Sequence, residues 1–463
     1  MRTFLKTHQI KTWIIKQPFS KWAVLFISIF LIYNTLLHKK WSNNRVIIHD
    51  VSSYYSYLPA ALIYQDFALK FRKDLPENEP VKGIWHNKKG DTVYQKMTVG
   101  MSYLYFPTFL IAHAYAKSSS AYAANGFSKP YQVAVAFNTL LIGLLGLLIS
   151  RLLLLRFFTE TVTTLVLVGV YLGSNLYYYI TMAPGMTHPY SFLGIAAFLL
   201  IYLRWLDHPN NSRFMALCAI AGLLIVIRPT NALACMFPIL MLMQKANRDR
   251  IFDFFKDRKK FVVMGVSVLI LPLLPQMLYW QNVFGSPFAY SYTGEYFFFN
   301  KPHIVDGLFG WRKGLLLYTP IFAFAFIGLA IKFKSDIIIR ISTVLVMSFI
   351  YVIFSWWCWW YGGYSTRALI EMYPFLMLGL GYFVTEISKK TKFLLPFFML
   401  VMAFLIHQNI RFVNLYEKGI IHWDSMTKDA VKVIYWNDNV SSDYEERLIK
   451  PDYEKALREG EDL

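Results

Sequence analysis

The chain has 463 residues, of which 56% are hydrophobic, 18% aromatic and only 16% charged, with a formal net charge of +19. This balance excludes an ordinary soluble globular protein, and the basic residues gather in short clusters between apolar runs and not along one face, which excludes nucleic acid as the partner. Cys218 and Cys235 lie inside apolar runs and Cys358 in a tryptophan cluster, so they support no disulfide framework, no metal site and no redox cofactor.

In chain order, a basic and polar segment, 1–21, precedes the apolar run 22–37; no small-residue cleavage site follows, and the run reads as an uncleaved signal anchor. Next comes 45–65, RVIIHDVSSYYSYLPAALIYQ, which sets one carboxylate, Asp50, at the membrane surface. Tyr54, Tyr55, Leu58, Ala61 and Leu62 recur at helical spacing and predict a short amphipathic helix along the bilayer interface, bent or broken by Pro59. Asp50 reads either as the N-cap of that helix or as a catalytic base. A polar loop, 70–96, leads to 101–116, an apolar run shorter than the roughly 20 residues a bilayer core demands, with Pro107 and His113 inside it. Ten further spans are expected at 131–155, 162–180, 190–205, 214–227, 232–243, 261–280, 315–331, 337–355, 368–387 and 393–407, about eleven with the anchor. The expected class is an all-α polytopic membrane protein.

The loops between these runs alternate in charge, and Lys245, Arg248, Arg250, Lys256, Arg258, Lys259 and Lys260 share one of them, which places it in the cytoplasm. If 101–116 stays at the outer surface, the other basic loops and the N-terminus also fall inside, so 101–116 is expected to be interfacial or re-entrant and the C-terminus outside. The run 214–243 is broken by Arg228 and Pro229 and reads as a hairpin with Arg228 at its outer tip. The domain expectation is a cytoplasmic 1–21, a transmembrane domain 22–387 with outer loops at 38–130 and 281–314, a last transmembrane helix 388–407, and a periplasmic tail 408–463.

This topology collects His49, Asp50, His188, Arg228, the loop 281–314 and the turn 356–367 on the outer face. A reaction that needs one carboxylate, several cations and a membrane is sugar transfer from a polyprenyl phosphate to a hydroxyl. A phosphate leaves without a general acid, so one base suffices, unlike the paired carboxylates of a glycosidase. Asp50 would take the acceptor proton, and Arg228, Arg312, Lys313 or Arg367 would stabilise the departing phosphate. Glu295 either contacts acceptor hydroxyls or caps a turn; Arg228 either binds phosphate or reaches headgroups; Arg367 either lines a pocket or pairs with Glu371 one turn on. The cluster Trp356, Trp357, Trp359, Trp360 and Tyr361 reads first as an interfacial belt and second as a stacking surface for a sugar or prenyl chain.

The order of signals, an anchor, then HDVSSYYSYLPA, VGMSYLYFPTFLIAH, PGMTHPYSF, IRPTN, GSPF and WWYGGYSTRALIEMYP, resembles the GT-C-type bacterial membrane glycosyltransferases, in particular the dolichyl-phosphate-mannose mannosyltransferase-like branch. The resemblance covers most of the chain up to about Ile387. It implies a GT-C-like bundle with juxtamembrane helices in the first outer loop, Asp50 as base, and inverting transfer from a polyprenyl-phosphate sugar to a glycan, lipid or protein acceptor in the bacterial plasma membrane. The substrate contacts expected beside Asp50 are His49, Tyr54, Tyr55, His188, Arg228, Glu295, Arg312, Lys313 and Arg367. One departure stands out: where several branches carry a second acidic residue in the next outer loop, often a metal ligand, this chain reads MAPGMTHPY, with His188 and no carboxylate. A transporter or flippase of lipid-linked sugars, and a non-enzymatic partner in envelope assembly, are the competing readings.

Overall fold

The computed structural model describes residues 18–75, 86–89 and 92–462. Most of the basic segment 1–21 and part of the polar loop 70–96 lie outside the described residues. What is described is mostly helical, with a single two-stranded hairpin, His86–Lys89 against Thr92–Gln95. Seven helices are long and apolar enough to cross a membrane, and four shorter apolar helices, Glu160–Leu172, Asn211–Ile227, Pro229–Met241 and Ile321–Lys332, accompany them. Each of the eleven expected spans coincides with one of these, so the chain is a multi-pass membrane protein. The segment expected at the interface forms a 19-residue helix, Gly100–Ser118, that carries Pro107 in its interior.

The chain packs as two compact units. One is built from 31–146 and 179–295, the other from 147–178, 296–462 and the described residues up to 30. In the first unit, Tyr57, Tyr94, Val99, Val226 and Tyr279 form a buried aromatic and aliphatic cluster. Gly100 lies so close to the Val226–Ile227 backbone that a Cβ would collide with it, which seats helix Gly100–Ser118 directly on the end of helix Asn211–Ile227. The break expected at Arg228 and Pro229 is present: Arg228 is extended (φ −159°) and Pro229 opens a short 3-10 turn.

The stretch after the anchor departs from the expected broken helix. Helix His49–Tyr55 runs on through Tyr57–Pro59 and widens into a π-helical turn at Ala60–Tyr64, so Pro59 is followed by a looser turn and not by a break. A second difference lies in the other unit, where the span expected at 162–180 is interrupted at Gly173–Asn175. Backbone freed inside an apolar layer must find partners within the protein. Here Asn409 donates its amide to the Leu172 and Ser174 carbonyls, both at 2.8 Å, and accepts from the Tyr364 hydroxyl at 3.1 Å. The last span likewise continues past its expected end, as helix Leu394–Glu417.

In that same unit, helices Ile321–Lys332 and Tyr373–Lys390 cross with their backbones in contact, because a Cβ on Gly328 would strike the Gly379 carbonyl and one on Gly379 would strike that of Ala325. Association of helices in lipid rests on such close packing, since lipid tails are as apolar as the helices themselves. Gly328→Val is therefore expected to destabilise the protein by about 1–3 kcal/mol, read as a lowered Tm in detergent, whereas Ile327→Val on an exposed position leaves Tm unchanged.

Candidate functional site

Asp50 is placed by the chain just ahead of it. The Val46 and Ile47 amides both donate to the side-chain oxygen of buried Gln132, at 3.1 and 2.9 Å, which fixes the entering strand. The next turn is made by His49, whose φ of +47° lies in the left-handed region that non-glycine residues rarely adopt. Asp50 follows in the first helical turn and is 7% exposed. The N-cap position belongs to Ile48, which supplies no side-chain cap, and Asp50 is the acidic residue of the first turn, where a helix start favours negative charge.

The Tyr292 hydroxyl donates to the Met97 sulfur at 2.9 Å. The phenol of half-buried Tyr292 is held well above its usual range, first by removal from water, then by Tyr54, Asp50 and Glu295, while the Arg228 charge pulls it down. Tyr54, Asp50, Glu295 and Arg228 thus all lie close enough to act on Tyr292. Arg228 places its Nη1 3.4 Å from Nδ1 of buried His188, which starts helix Thr187–Asp207 and meets the Tyr179 ring edge-on at 5.5 Å. Glu295 forms an ion pair with Lys96, whose ammonium sits 5.0 Å from the Tyr292 ring centre. Of the expected set, the first unit therefore assembles Asp50, Tyr54, His188, Arg228 and Glu295. Lys96 and Tyr292 join them without having been singled out; Lys96 ends a polar loop beside an apolar run, where a snorkelling lysine looks the same in sequence.

Two expected contacts are placed otherwise. The Tyr55 hydroxyl donates to the Gly126 carbonyl at 2.6 Å and its ring packs among Tyr105, Phe109 and Phe127, so Tyr55 is a core residue. His49 makes the turn and its side chain is exposed.

The helix that begins with Asp50 leads into an apolar groove in the same unit. This groove has a volume of about 770 Å³ and is walled by Leu58, Leu62, Tyr103, Phe106, Leu278 and Tyr279, among others. Ser102, also in its wall, donates to the Tyr54 carbonyl at 2.6 Å, tying the groove to the Asp50 helix.

Arg312, Lys313 and Arg367 belong to the other unit. Arg312 is buried, ion-paired with Asp462 and 5.4 Å from the Trp360 ring, and Asp462 also accepts from the Trp359 indole at 3.1 Å. Lys313 donates to the Gly363 carbonyl, and the charges of Arg367, Arg312 and fully buried Asp424 all act on it. Asp424 in turn accepts from the Tyr453 hydroxyl at 2.6 Å. Arg312 and Lys313 belong to a buried charge network that ties the segment after Glu417 to the loop 310–314 and the turn 356–367. No group of three or more His, Cys, Asp or Glu side chains among the described residues could hold a metal ion.

No family model and no curated protein sequence matches the chain. Among solved structures it is similar to the oligosaccharyltransferase of Archaeoglobus fulgidus, with 13% identity and a TM-score of 0.53 over 93% of this chain and 59% of that one. It is also similar to ArnT from Cupriavidus metallidurans, with 13% identity and a TM-score of 0.48 over 79% of this chain and 60% of that one. The chain has a GT-C-type fold. It spans about 60% of the length of the two solved proteins, and the likeness is one of fold.

Burial pushes the Lys313 ammonium down to about 7, with Arg367 adding to the fall and Asp424 opposing it. The unfolded chain keeps this proton to about 10.5, so unfolding takes up a proton between these values and the folded state gains stability as pH rises through that window. Lys313→Met removes the penalty of burying the charge. Its Tm relative to the parent should stand highest at about pH 7 and fall steadily towards pH 10; a Tm difference that is flat with pH would contradict the assignment.

Proposed function

We propose that this chain is a membrane glycosyltransferase that moves a sugar from a polyprenyl-phosphate donor to a hydroxyl acceptor, with inversion at the anomeric carbon. The observation that carries the reading is a buried carboxylate, Asp50, on a helix that runs on into an apolar groove, in the unit that also holds Arg228, Lys96 and Tyr292. In the transfer, Asp50 accepts the proton of the acceptor hydroxyl as its oxygen attacks the anomeric carbon from the face opposite the phosphate. The bond from that carbon to the phosphate oxygen breaks, and its electron pair leaves with the polyprenyl phosphate. Arg228 and Lys96 stabilise the negative charge that develops there, in a site from which water is largely removed. The groove holds the first isoprene units of the carrier, whose flat branched segments match its aliphatic and aromatic walls. Tyr54 and His188 border the sugar, and Glu295 holds Lys96 in place between turnovers.

The site faces the outer side of a bacterial plasma membrane in this reading, with the N-terminus inside and the segment after Glu417 outside. The basic loops, above all 245–260, support that orientation. It predicts that a cysteine placed at Ser119, beyond the end of helix Gly100–Ser118, is labelled by an impermeant reagent in intact cells. Labelling only after permeabilisation would reverse the topology.

Release of free polyprenyl phosphate from polyprenyl-phosphate sugars by the purified protein in lipid tests the reaction. Asp50→Asn should lower kcat by about 10²–10⁴-fold at unchanged protein level. Arg228→Ala should raise the KM for donor more than that for acceptor. A flippase would move the donor without releasing free carrier, and an assembly partner would keep its cellular role in Asp50→Asn; either result rejects the transferase.

A further inference from the structure

A second group of polar side chains in the unit that holds Asp50 has no role in the chemistry above. It is built on the short hairpin and on the 3-10 turn Lys70–Asp74. Asp66 fixes that turn by accepting from the Ala68 and Phe71 amides, at 3.0 and 2.9 Å. Arg72 leaves the turn to place Nη1 2.9 Å from Nδ1 of His86. His86 pairs directly with Gln95 across the hairpin, and residues opposite each other in an antiparallel pair share a face. Gln95 is 1% exposed, yet neither its side-chain nitrogen nor its side-chain oxygen has a hydrogen-bond partner, and the buried Arg72 Nε lacks one as well. Arg72 itself is half-buried, and its guanidinium meets the His86 imidazole. An amide with both ends unmet is costly to keep buried unless something binds it.

The unmet groups specify the ligand. Arg72 Nε–H and the Gln95 NH₂ are donors and call for acceptor oxygens, with the fixed positive charge favouring an anion. The Gln95 oxygen calls for a donor. An isoprenoid offers neither, a bare oxyanion offers no donor, and a neutral sugar leaves the guanidinium without a counter-charge. A sugar bearing a carboxylate or phosphate beside a free hydroxyl satisfies all three. The position fits a second substrate: Gln95 directly precedes Lys96, and the Met97 amide is 3.3 Å from the Ser53 hydroxyl, one turn along the helix from Asp50. The donor phosphate already has Arg228 and Lys96.

We propose that Arg72, His86 and Gln95 form a subsite for an anionic, hydroxyl-bearing glycan, the acceptor of the transfer. The acceptor role rests on the transferase reading; the binding does not. The test is equilibrium binding to the full-length protein in lipid nanodiscs without donor, using trigalacturonate as the carboxylate probe, a glycerol-phosphate trimer as the phosphate probe and maltotriose as the neutral control. At least one anionic probe should bind tenfold or more tightly than maltotriose. Arg72→Gln should erase that preference, and Gln95→Leu should weaken binding while leaving the ligand-free Tm equal or higher, because an unmet buried amide has been removed. Which anionic probe wins identifies the charged group. The proposal is overturned if neither anionic probe outbinds maltotriose, if the preference survives in Arg72→Gln, or if Gln95→Leu lowers Tm and leaves binding unchanged, the signature of an amide held by water. Arg72-dependent binding by a protein that releases no polyprenyl phosphate would leave the subsite standing and remove only the transferase.

Discussion

The burial of one carboxylate, Asp50, in the unit that also holds Arg228 is the constraint on which the rest of that unit depends. Asp50 loses most of its water, and a charge so placed is tolerable only where opposite charge and hydrogen-bond donors stand close by. Arg228 acts on the same Tyr292 hydroxyl as Asp50, with Lys96 over the Tyr292 ring. Each of these residues is delivered by a local departure from regular structure. Asp50 follows a left-handed turn at His49; Arg228 sits in the extended gap that Pro229 forces on a helix; Glu295 follows Gly294, whose φ of +84° suits glycine. The strain at His49, about 1–3 kcal/mol for such a residue, is offset by the paired amides of Val46 and Ile47 on Gln132.

The same logic governs the membrane-spanning parts. A helix may be interrupted within an apolar layer only if its freed carbonyls are met by the protein, and Asn409 does this for Leu172 and Ser174. Where helices meet without such polar ties, as at Gly328 and Gly379, backbone contact takes their place.

Much of this was legible in the sequence. The apolar runs mark eleven apolar helices among the described residues, seven of them long enough to cross a membrane, because length and hydropathy are local properties, and the break at Arg228 and Pro229 follows from proline geometry alone. The nearness of Asp50, His188, Arg228 and Glu295 was foreseen through topology, as residues sharing one side. That argument is coarse, and it also gathered Arg312, Lys313 and Arg367, which sit in the other unit among Asp424 and Asp462. A shared membrane side does not determine which charges pair, because the pairing joins residues 150 apart in sequence, such as Arg312 and Asp462. Tyr55, expected among the substrate contacts, turns its hydroxyl to the Gly126 carbonyl. Lys96 and Gln95 escaped notice because nothing local separates them from ordinary loop residues.

A GT-C-type fold joined to an apolar groove beside a buried carboxylate leads to one decisive observation. A cryo-electron microscopy structure of the protein with bound polyprenyl phosphate should show the phosphate on Arg228 and Lys96, the Asp50 carboxylate facing it across a space one sugar wide, and the prenyl chain between Leu58, Phe106 and Leu278. A phosphate bound elsewhere, or an Asp50 side chain turned into packed protein with no room for a sugar, would contradict the account.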